Sequence, residues 1–395
     1  MFSRRTSWDR SSNRLTETVE HHRLSGSGIL DLSETNPTQV GISYPRRILE
    51  ALSHPSSSDY RPDPAGAPGA REAIARVFAQ RGCAPAPEDI LLTASTSEAY
   101  SWLFKLLADP GDEILVPRPS YPLFEFLTGM ESVVPVPYDL TFDGAWSVSV
   151  EALEARLTSR ARAVVVVSPN NPTGSYVKRG ELRDLETLCR RYGLALMGDE
   201  VFAEYPHGPD SERAESILQA EAILTFSLGG LSKLVGLPQL KLGWMAVSGP
   251  PALRREARER LELIADTFLS VNTPVQLSTS ILLEEGEKVR RQIQRRIAAN
   301  LDFLRESTDG SSPFRLLPCE GGWTAVLRVP SVMTEEEWVL SLLREDSVLV
   351  HPGYFYDFPL PAYLVLSLLP SESDFREGVR RILARGKRFS PPGQA

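Results

Sequence analysis

The chain contains little cysteine and little histidine. Its three cysteines, Cys83, Cys189 and Cys319, are odd in number and far apart among 395 residues. This spacing supports neither a disulfide framework nor a zinc site, and it indicates a reducing compartment. Only five histidines occur, and there is no His-Glu-x-x-His stretch, so the sequence predicts no metal site.

Long apolar runs are also missing. The longest strand-like run, residues 163–167, is far shorter than a membrane span. Residues 1–14 are polar and rich in arginine and serine, without the apolar stretch of a secretory signal. Acidic residues outnumber basic ones by 51 to 43, for a formal net charge of -8, which argues against a general nucleic-acid surface. We therefore expect a cytoplasmic protein that binds neither a membrane nor nucleic acid.

What the sequence does contain is a long alternation of strand and helix signals. Hydrophobic residues make up 42% and charged residues 24%, ordinary values for a protein with a well-developed core. Short β-branched runs alternate with helical patterns, and the predicted strands are residues 90–93, 113–116, 133–136, 164–167 and 194–197. This order predicts a mainly parallel sheet with helices on both faces, and ligands beyond the carboxyl ends of its strands.

Changes in the pattern divide the chain into three parts. Residues 1–27 are predicted to form a flexible arm, and residues 49–274 a large αβα domain. After Gly249-Pro250 the signal changes to long helices rich in arginine and glutamate, followed by a shorter α+β section. We assign residues 28–48, together with residues 275–395, to a small α+β domain built from both ends of the chain.

Three polar segments follow predicted strands of the large domain. They are the Ser-Pro-Asn-Asn-Pro-Thr-Gly loop of residues 168–174, Asp199, and Lys233 among small residues. Each has a plain interpretation, as a turn, a helix cap or a solvated surface charge. Together they also supply what pyridoxal phosphate (PLP) needs: a lysine that forms an imine, and a carboxylate that keeps the pyridine nitrogen protonated. Lys241 is a second cation, which we expect to lower the pKa of Lys233.

The order and spacing of these segments resemble those of the class I and II aminotransferases, which have PLP fold type I. Residues 59–69, 93–99 and 119–122 resemble further motifs of that family, and so many motifs in register are not expected by chance. The resemblance implies an α/β, aspartate-aminotransferase-like fold, a PLP cofactor and a homodimer. It assigns the cofactor site to Lys233 as the covalent residue, Asp199, Asn171, Tyr121, Phe202, Ser95, Thr96, Ser97, Ser232 and Lys241, with Tyr60 serving the phosphate in the partner subunit.

Four positions depart from the family pattern. Phe202 stands where a tyrosine usually donates to the phenolic oxygen of the ring, which predicts a raised pKa for the imine. Lys241 replaces an arginine, so that a point charge replaces a bidentate fork at the phosphate. Gly230 replaces a phosphate-binding serine. Val365 replaces the arginine that grips the substrate α-carboxylate, and this loss weakens amino-acid binding unless another cation substitutes.

Arg328 is the first candidate for that substitute and Arg118 the second, although an arginine at a strand end is as often a plain surface residue. Strand alternation places Arg328 on the face opposite Trp323, which counts against both pointing at one substrate. Trp323 and Asn36 complete the candidate substrate residues. His351 is more typical of packing, and we do not assign it a catalytic role.

The sequence thus predicts an aminotransferase that moves an amino group between an amino acid and a 2-oxo acid. Lys233, once released from the imine, acts as general base and acid, while Asp199 keeps the ring an electron sink. A different PLP reaction, such as β-elimination of the C–S lyase type, cyclisation or racemisation, is the alternative that Phe202 and Val365 favour. A regulator that fuses this fold to a helix-turn-helix domain is disfavoured, because the chain before the resemblance is short and the net charge is negative.

Overall fold

The computed structural model describes residues 1–26, 28–308 and 312–388. In these ranges the α-helices are α1 (Arg14–Leu24), α2 (Arg46–Ala51), α3 (Pro68–Gln80), α4 (Thr96–Leu107), α5 (Phe124–Met130), α6 (Val150–Glu154), α7 (Arg179–Tyr192), α8 (Leu231–Leu234), α9 (Pro251–Phe268), α10 (Thr273–Ser307), α11 (Glu335–Asp346) and α12 (Glu372–Lys387). The strands are β1 (Leu30–Asp31), β2 (Ile90–Thr93), β3 (Glu113–Arg118), β4 (Val134–Phe142), β5 (Trp146–Val148), β6 (Ala161–Val167), β7 (Ala195–Asp199), β8 (Thr225–Gly230), β9 (Gly243–Ser248), β10 (Arg315–Leu316), β11 (Thr324–Arg328), β12 (Val348–Leu349), β13 (His351–Pro352) and β14 (Tyr363–Ser367).

Eight strands form the large sheet, in the order β2-β9-β8-β7-β6-β3-β4-β5. Strands β8, β7, β6, β3 and β4 run parallel to one another, whereas β9 is antiparallel to both of its neighbours and β5 is antiparallel to β4. Strand β6 carries four consecutive valines and is buried along most of its length, as expected for a strand covered on both faces. The predicted α/β architecture with a mainly parallel sheet is therefore confirmed.

Helix α7 shows how local sequence sets the boundaries of a covering element. The Glu181 carboxylate accepts the backbone N–H of Lys178 at 2.6 Å, which satisfies a donor at the start of the helix. The helix ends at Gly193, whose positive φ of 66° closes the last turn at no steric cost. Leu182 and Leu185 are buried on its inner face, so α7 packs against the sheet and returns the chain from β6 to β7.

The carboxyl ends of the parallel strands bring distant parts of the sequence to one edge of the sheet. Strands β2, β3, β6, β7 and β8 end there, and antiparallel β9 begins there. The candidate cofactor residues that directly follow or precede these ends are Ser95, Tyr121, Asn171, Asp199, Lys233 and Lys241. This is the edge at which open α/β sheets bind ligands.

A second, antiparallel sheet has the order β10-β11-β14-β13 and packs with α10, α11 and α12. Strand β14 is buried along its whole length, with Leu364 and Leu366 in one hydrophobic cluster and Val365 in another. The alternation follows from the period of two along a strand. Val365 therefore faces away from α10 and towards the cluster that contains Val177 and Tyr356.

The N-terminal segment differs from the flexible arm expected over residues 1–27. Residues 14–24 form α1, whose Leu15 is buried, and Arg14 makes an ion pair with Glu336 of α11 at 3.0 Å. The apolar segment that follows pairs in parallel with β12, Leu30 opposite Val348. The segment therefore carries regular structure that its polar composition did not suggest, while the domain boundaries stay a prediction. No helix in the described ranges is both long and apolar enough to span a membrane.

Candidate active site

Lys233 lies in α8, directly after the buried strand β8. Its Nζ is 5.0 Å from the ring centroid of Trp323 and 5.7 Å from that of Phe202. The Tyr205 hydroxyl donates to the backbone oxygen of Lys233 at 2.8 Å, which fixes the short helix. Burial lowers the pKa of Lys233. The negative charges of Asp199 and Glu34 raise this pKa, but the effect of burial is larger. The amine is therefore poised toward its neutral, nucleophilic form.

The reason for the lowered pKa differs from the sequence expectation. Lys241 was expected to depress the pKa of Lys233, but Lys241 is exposed and is not among the groups that affect Lys233. Desolvation in a pocket walled by Trp323 and Phe202 has the same effect, because burial disfavours the charged form of an amine. That part of the prediction was wrong in its cause and right in its direction.

Asp199 is the last residue of β7, and two donors hold its carboxylate. The Tyr100 hydroxyl donates to Oδ2 at 3.3 Å, and the Val201 backbone N–H donates to Oδ1 at 3.2 Å. Burial raises the pKa of Asp199 to about 6, against these hydrogen bonds and the Lys233 charge, which lower it. Burial and the neighbouring carboxylate raise the pKa of Tyr100 well above its ordinary value, so Tyr100 remains a donor.

The loop between β2 and α4 brings a helix N-terminus to the same edge. Ser95 is the N-cap of α4, and its Oγ accepts the Glu98 backbone N–H at 3.2 Å. Strand β9 begins directly against this loop, since a Cβ on Gly243 would lie 2.9 Å from the Ser95 carbonyl carbon. Lys241, with a positive φ of 52°, lies just before Gly243, and Thr96 and Ser97 open the helix. Backbone N–H groups at such an end favour an anion.

Gly230, one of the departures from the family pattern, has a local structural reason. A Cβ at this position would lie 3.1 Å from the Leu242 carbonyl oxygen and 3.3 Å from the Gly243 Cα. A serine would therefore require β9 to move by a few tenths of an ångström. Ser232, two residues further on, is partly exposed beside Lys233 and remains a candidate for the hydroxyl that Gly230 lacks.

Aromatic and amide side chains form the walls around Lys233. The Phe202 ring is buried and packs edge-on against Trp323, with centroids 5.3 Å apart. The Asn171 Oδ1 atom accepts the Thr324 hydroxyl at 3.5 Å, which joins the loop after β6 to strand β11. Tyr121, on the loop after β3, is about half exposed, at 51%. Its ring is therefore free to lie against a bound ligand.

The candidate substrate residues do not all converge. Trp323, directly before β11, is beside Lys233, but Arg328 is exposed at the other end of that strand, about 17 Å away at the usual strand rise. Arg328 therefore does not converge with Trp323 on Lys233. It pairs with Tyr363, two residues from Val365 along β14, and its role in place of the absent arginine stays a prediction. Arg118 is ion-paired with Asp139 at 2.6 Å. Asn36 caps its own turn, accepting the Thr38 backbone N–H at 3.0 Å.

Val365 itself is buried, with only 1% of its surface exposed. Its partner across the β13–β14 ladder is His351, whose Nδ1 is 3.1 Å from the Tyr356 hydroxyl. Burial lowers the pKa of His351, so it does not supply a permanent positive charge at this wall.

Tyr60 does not lie with the other candidates. It is 72% exposed and lines a cavity together with Leu269, Ser270 and Gln276, away from Lys233. The motif that suggested a role in a partner subunit therefore places its tyrosine at the surface.

Sequence reasoning missed two residues of the site. Tyr100 lies one turn into α4, and nothing in its local pattern distinguished it from the core aromatics Trp102 and Phe104. Glu34 lies in a turn cluster, and its charge raises the pKa of Lys233. In the sequence it was distinguished only as an acidic residue two positions before the candidate Asn36.

The residues present fit a bound PLP. Among the described residues, Trp323 Nε1 and Ser120 Oγ are buried atoms with no hydrogen-bond partner, one beside Lys233 and the other beside Tyr121. A partly buried amine, a partly buried carboxylate and a helix N-terminus at one edge match the imine carbon, the pyridine nitrogen and the phosphate of the cofactor. No group of three or more metal-ligating side chains occurs in residues 1–26, 28–308 and 312–388.

Comparison with known proteins gives the same class of enzyme. The family model described as aminotransferase class I and II matches residues 27–382, and the chain belongs to this family. Alanine aminotransferase from Mycobacterium tuberculosis is 28% identical over 374 residues, covering 91% of this chain and 86% of the relative. Glutamate-pyruvate aminotransferase AlaA from Escherichia coli is 26% identical over 358 residues, 88% of each chain.

Solved structures share the fold. An alanine aminotransferase from Pyrococcus furiosus superposes with a TM-score of 0.87 at 23% identity, over 98% of this chain and 100% of that one. An aspartate aminotransferase variant from Thermus thermophilus gives 0.85 at 22% identity, over 97% and 99%. The chain therefore has the aspartate-aminotransferase-like fold. It is a PLP-dependent transferase that moves an amino group between an amino acid and a 2-oxo acid.

Proposed function

We propose that Lys233 is the residue that binds the cofactor covalently and then moves the proton in the transfer reaction. The observation that carries this proposal is the partly buried Lys233 amine, with its pKa lowered by desolvation, at the carboxyl edge of the sheet beside Asp199. A neutral amine is needed both to form the covalent bond and to act as a base near pH 7.

The other candidate residues orient the cofactor. Asp199 pairs with the pyridine nitrogen, and Tyr100 holds the Asp199 carboxylate in place. The N-terminus of α4, with Ser95, Thr96 and Ser97, binds the phosphate together with Lys241 and Ser232. The Tyr121 ring would stack on the pyridine, and Asn171 would donate to the phenolic oxygen, an interaction for which Phe202 offers no hydroxyl.

PLP, when bound, supplies an electron sink that weakens the bond between Cα and its hydrogen in the attached amino acid. The released Lys233 amine takes that proton from Cα and later donates it back to the reacting system, so one side chain acts as base and then as acid. Trp323 and Phe202 exclude water from the Lys233 amine, which keeps its pKa low between the two steps.

We also propose a cytoplasmic homodimer in which Tyr60 contributes to the site of the partner subunit. Tyr60 is exposed and away from Lys233, and large apolar side chains nearby are exposed as well, with Leu263 at 73% and Leu269 at 55%. Exposed apolar groups of this kind are typical of interfaces.

Mixed dimers test the shared site. Tyr60→Ala and Lys233→Ala chains, each weakly active or inactive alone, are mixed after mild dissociation. If Tyr60 serves the partner, one site in each mixed dimer carries both defects and the other carries none, so activity returns. Absence of any recovery from dimers that are shown to have mixed would contradict the shared site.

Absorbance spectroscopy of the purified protein tests the central assignment. We expect a PLP band that Lys233→Ala loses, and conversion of the band to the pyridoxamine form by an amino donor. Alanine and glutamate are the first donors to test, because the relatives described above are named for alanine and for glutamate and pyruvate. A wild-type band unchanged by every donor would contradict amino transfer.

The alternative is another PLP reaction on the same residues, β-elimination above all. The buried Val365 and the ring of Phe202 favour it, since they stand where substrate orientation and ring electronics are set. Release of pyruvate and ammonia from a β-substituted amino acid, without accumulation of the pyridoxamine form, would identify that reaction.

A further inference from the structure

Glu34 lies on the substrate side of Lys233, as a short chain of contacts shows. Its backbone oxygen accepts the Ser367 hydroxyl at 2.6 Å. The next residue, Leu368, donates its backbone N–H to the Trp323 oxygen at 2.8 Å, and the Trp323 ring is 5.0 Å from Lys233 Nζ. Glu34 and Lys233 are thus joined through the wall formed by Trp323.

A second connection runs over the turn that follows Lys233. A Cβ on Gly236 would lie 3.6 Å from the Pro37 side chain, and the Tyr44 hydroxyl donates to the Gly236 oxygen at 2.8 Å. The segment after Glu34 therefore covers the lysine turn. In agreement with this placement, the Glu34 charge raises the pKa of Lys233, which requires that the two groups lie close to each other.

The Glu34 carboxylate is held in one orientation but keeps capacity for a ligand. Its Oε1 accepts the Asn36 backbone N–H at 2.7 Å, while an ionised carboxylate has about four acceptor positions. The side chain is only partly buried. In the described part of the chain, no ion pair includes Glu34, so its charge is available to a cation that enters the site.

The cations considered for this part of the site are engaged elsewhere or distant. Arg296 of α10 donates to the Val40 and Leu369 backbone oxygens, each at 3.2 Å. Val365 is apolar where the family usually has an arginine, and Arg328 lies at the far end of β11. Arg118 is already paired with Asp139, and burial lowers the pKa of His351. A substrate that reaches Glu34 therefore meets a carboxylate, and the buried Val365 offers no cation where the family usually has an arginine.

We propose that Glu34 binds a second cationic group of the amino donor, an ammonium or a guanidinium, in addition to the amine that reacts. The proposal rests on the amino-transfer function and on the role of Lys233 given above. Two kinds of compound carry this chemistry, namely basic amino acids and diamines without an α-carboxylate. Glu34 is then a specificity-determining residue.

Matched donors test the proposal on the holoenzyme. L-Ornithine and L-norvaline have the same carbon chain and differ in the terminal ammonium, and putrescine and n-butylamine form the equivalent pair without a carboxylate. Conversion of the cofactor is followed by absorbance under single-turnover conditions. We expect each cation to be preferred over its neutral partner by about tenfold or more, the usual effect of a hydrogen bond to a charged group. The faster pair shows whether the α-carboxylate is needed.

Glu34→Gln keeps the shape of the side chain and removes its charge, and Glu72→Gln, an exposed change on α3, is the control. The ornithine-to-norvaline ratio should fall about tenfold in Glu34→Gln and stay at the wild-type value in Glu72→Gln. A readout without cofactor is the pH dependence of Lys233 labelling by trinitrobenzenesulfonate in the apoprotein, whose midpoint should move to lower pH in Glu34→Gln.

The outcomes distinguish failure of the Glu34 proposal from failure of the proposed amino-transfer function. Equal rates with ornithine and norvaline, both converting the cofactor, would overturn the role of Glu34 and leave amino transfer intact. A shift in Lys233 labelling without a change in the donor ratio would also overturn it, because Glu34 would then act on the lysine alone. Failure of every donor to convert the cofactor would contradict amino transfer itself.

Discussion

Removal of the Tyr100 hydroxyl is expected to weaken PLP binding through Asp199. The hydroxyl donates to Asp199 Oδ2 at 3.3 Å, which is long for an O–H···O bond, so we take about 1 kcal/mol, somewhat below the range for a hydrogen bond to a charged group. Because the bond favours the ionised carboxylate, Tyr100→Phe raises the pKa of Asp199, by roughly 0.7 units. The ionised form is the partner of the pyridinium, and about 1 kcal/mol corresponds to a roughly fivefold weaker affinity for PLP.

The assay is titration of the apoprotein with PLP, followed by absorbance, in wild type and Tyr100→Phe. Tyr138→Phe is the matched control, because Tyr138 is also fully buried and its hydroxyl donates to the Val165 backbone oxygen at 2.8 Å, away from Asp199. Both variants should lose about 1 kcal/mol of unfolding free energy, but only Tyr100→Phe should lose PLP affinity. Equal PLP affinities for the two variants would refute the positioning role of Tyr100.

Three further changes act on the same site. Lys233→Ala should abolish the covalent PLP band and lower the transfer rate by 100-fold or more, about the contribution of general acid–base catalysis, as measured by single-turnover absorbance; a rate close to wild type would contradict the assignment. Phe202→Tyr should lower the pKa of the lysine–cofactor imine by about one unit in a spectroscopic pH titration, because the new hydroxyl stabilises the deprotonated form; an unchanged or higher pKa would mean that the hydroxyl does not reach the phenolic oxygen. Asp199→Asn should stabilise the apoprotein at pH 7 by up to about 3 kcal/mol. Burial raises the folded-state pKa of Asp199 to about 6, so ionised Asp199 destabilises the fold above that pH, and the gain should disappear as pH falls toward 4. Urea unfolding at pH 7 and pH 4.5 measures this gain, and a gain independent of pH would show that the Asp199 charge is not its cause.

The sequence predicted the candidate site best at positions where the chemistry requires one particular residue type, such as a lysine for the imine. Strand β2 has the predicted bounds, and the lysine, aspartate and asparagine segments lie at the carboxyl edge of the parallel strands, where ligands were expected. β-branched runs and tight loops are local features of the sequence, so strands and turns can be recognised from them without knowledge of the fold. The antiparallel direction of β9 had no such signal, because direction depends on the connection and not on the composition of a strand.

Side chains that act across the fold were the ones that sequence reasoning missed. Tyr100 contacts Asp199 across 99 positions in the chain, and its place in a helix next to Trp102 is equally typical of a core aromatic. Arg328 was predicted from its segment and residue type, but it lies exposed at the end of β11 opposite the end that contacts Lys233. Helix α1 forms because Leu15 and the Arg14–Glu336 ion pair attach it to α11, a contact that residues 1–27 do not reveal by themselves.

The two sheets divide the site between them, and this division bears on how such enzymes diversify. The loops after β2, β3, β6, β7 and β8 supply the candidate cofactor residues, whereas Glu34, Trp323 and Val365 come from the N-terminal segment and the antiparallel sheet. Substitutions in the second set can therefore change the substrate pocket without altering the candidate cofactor residues of the first set. Phe202 connects the two sets of residues. It belongs to the loop after β7, in the first set, and its ring packs against Trp323 of the second set.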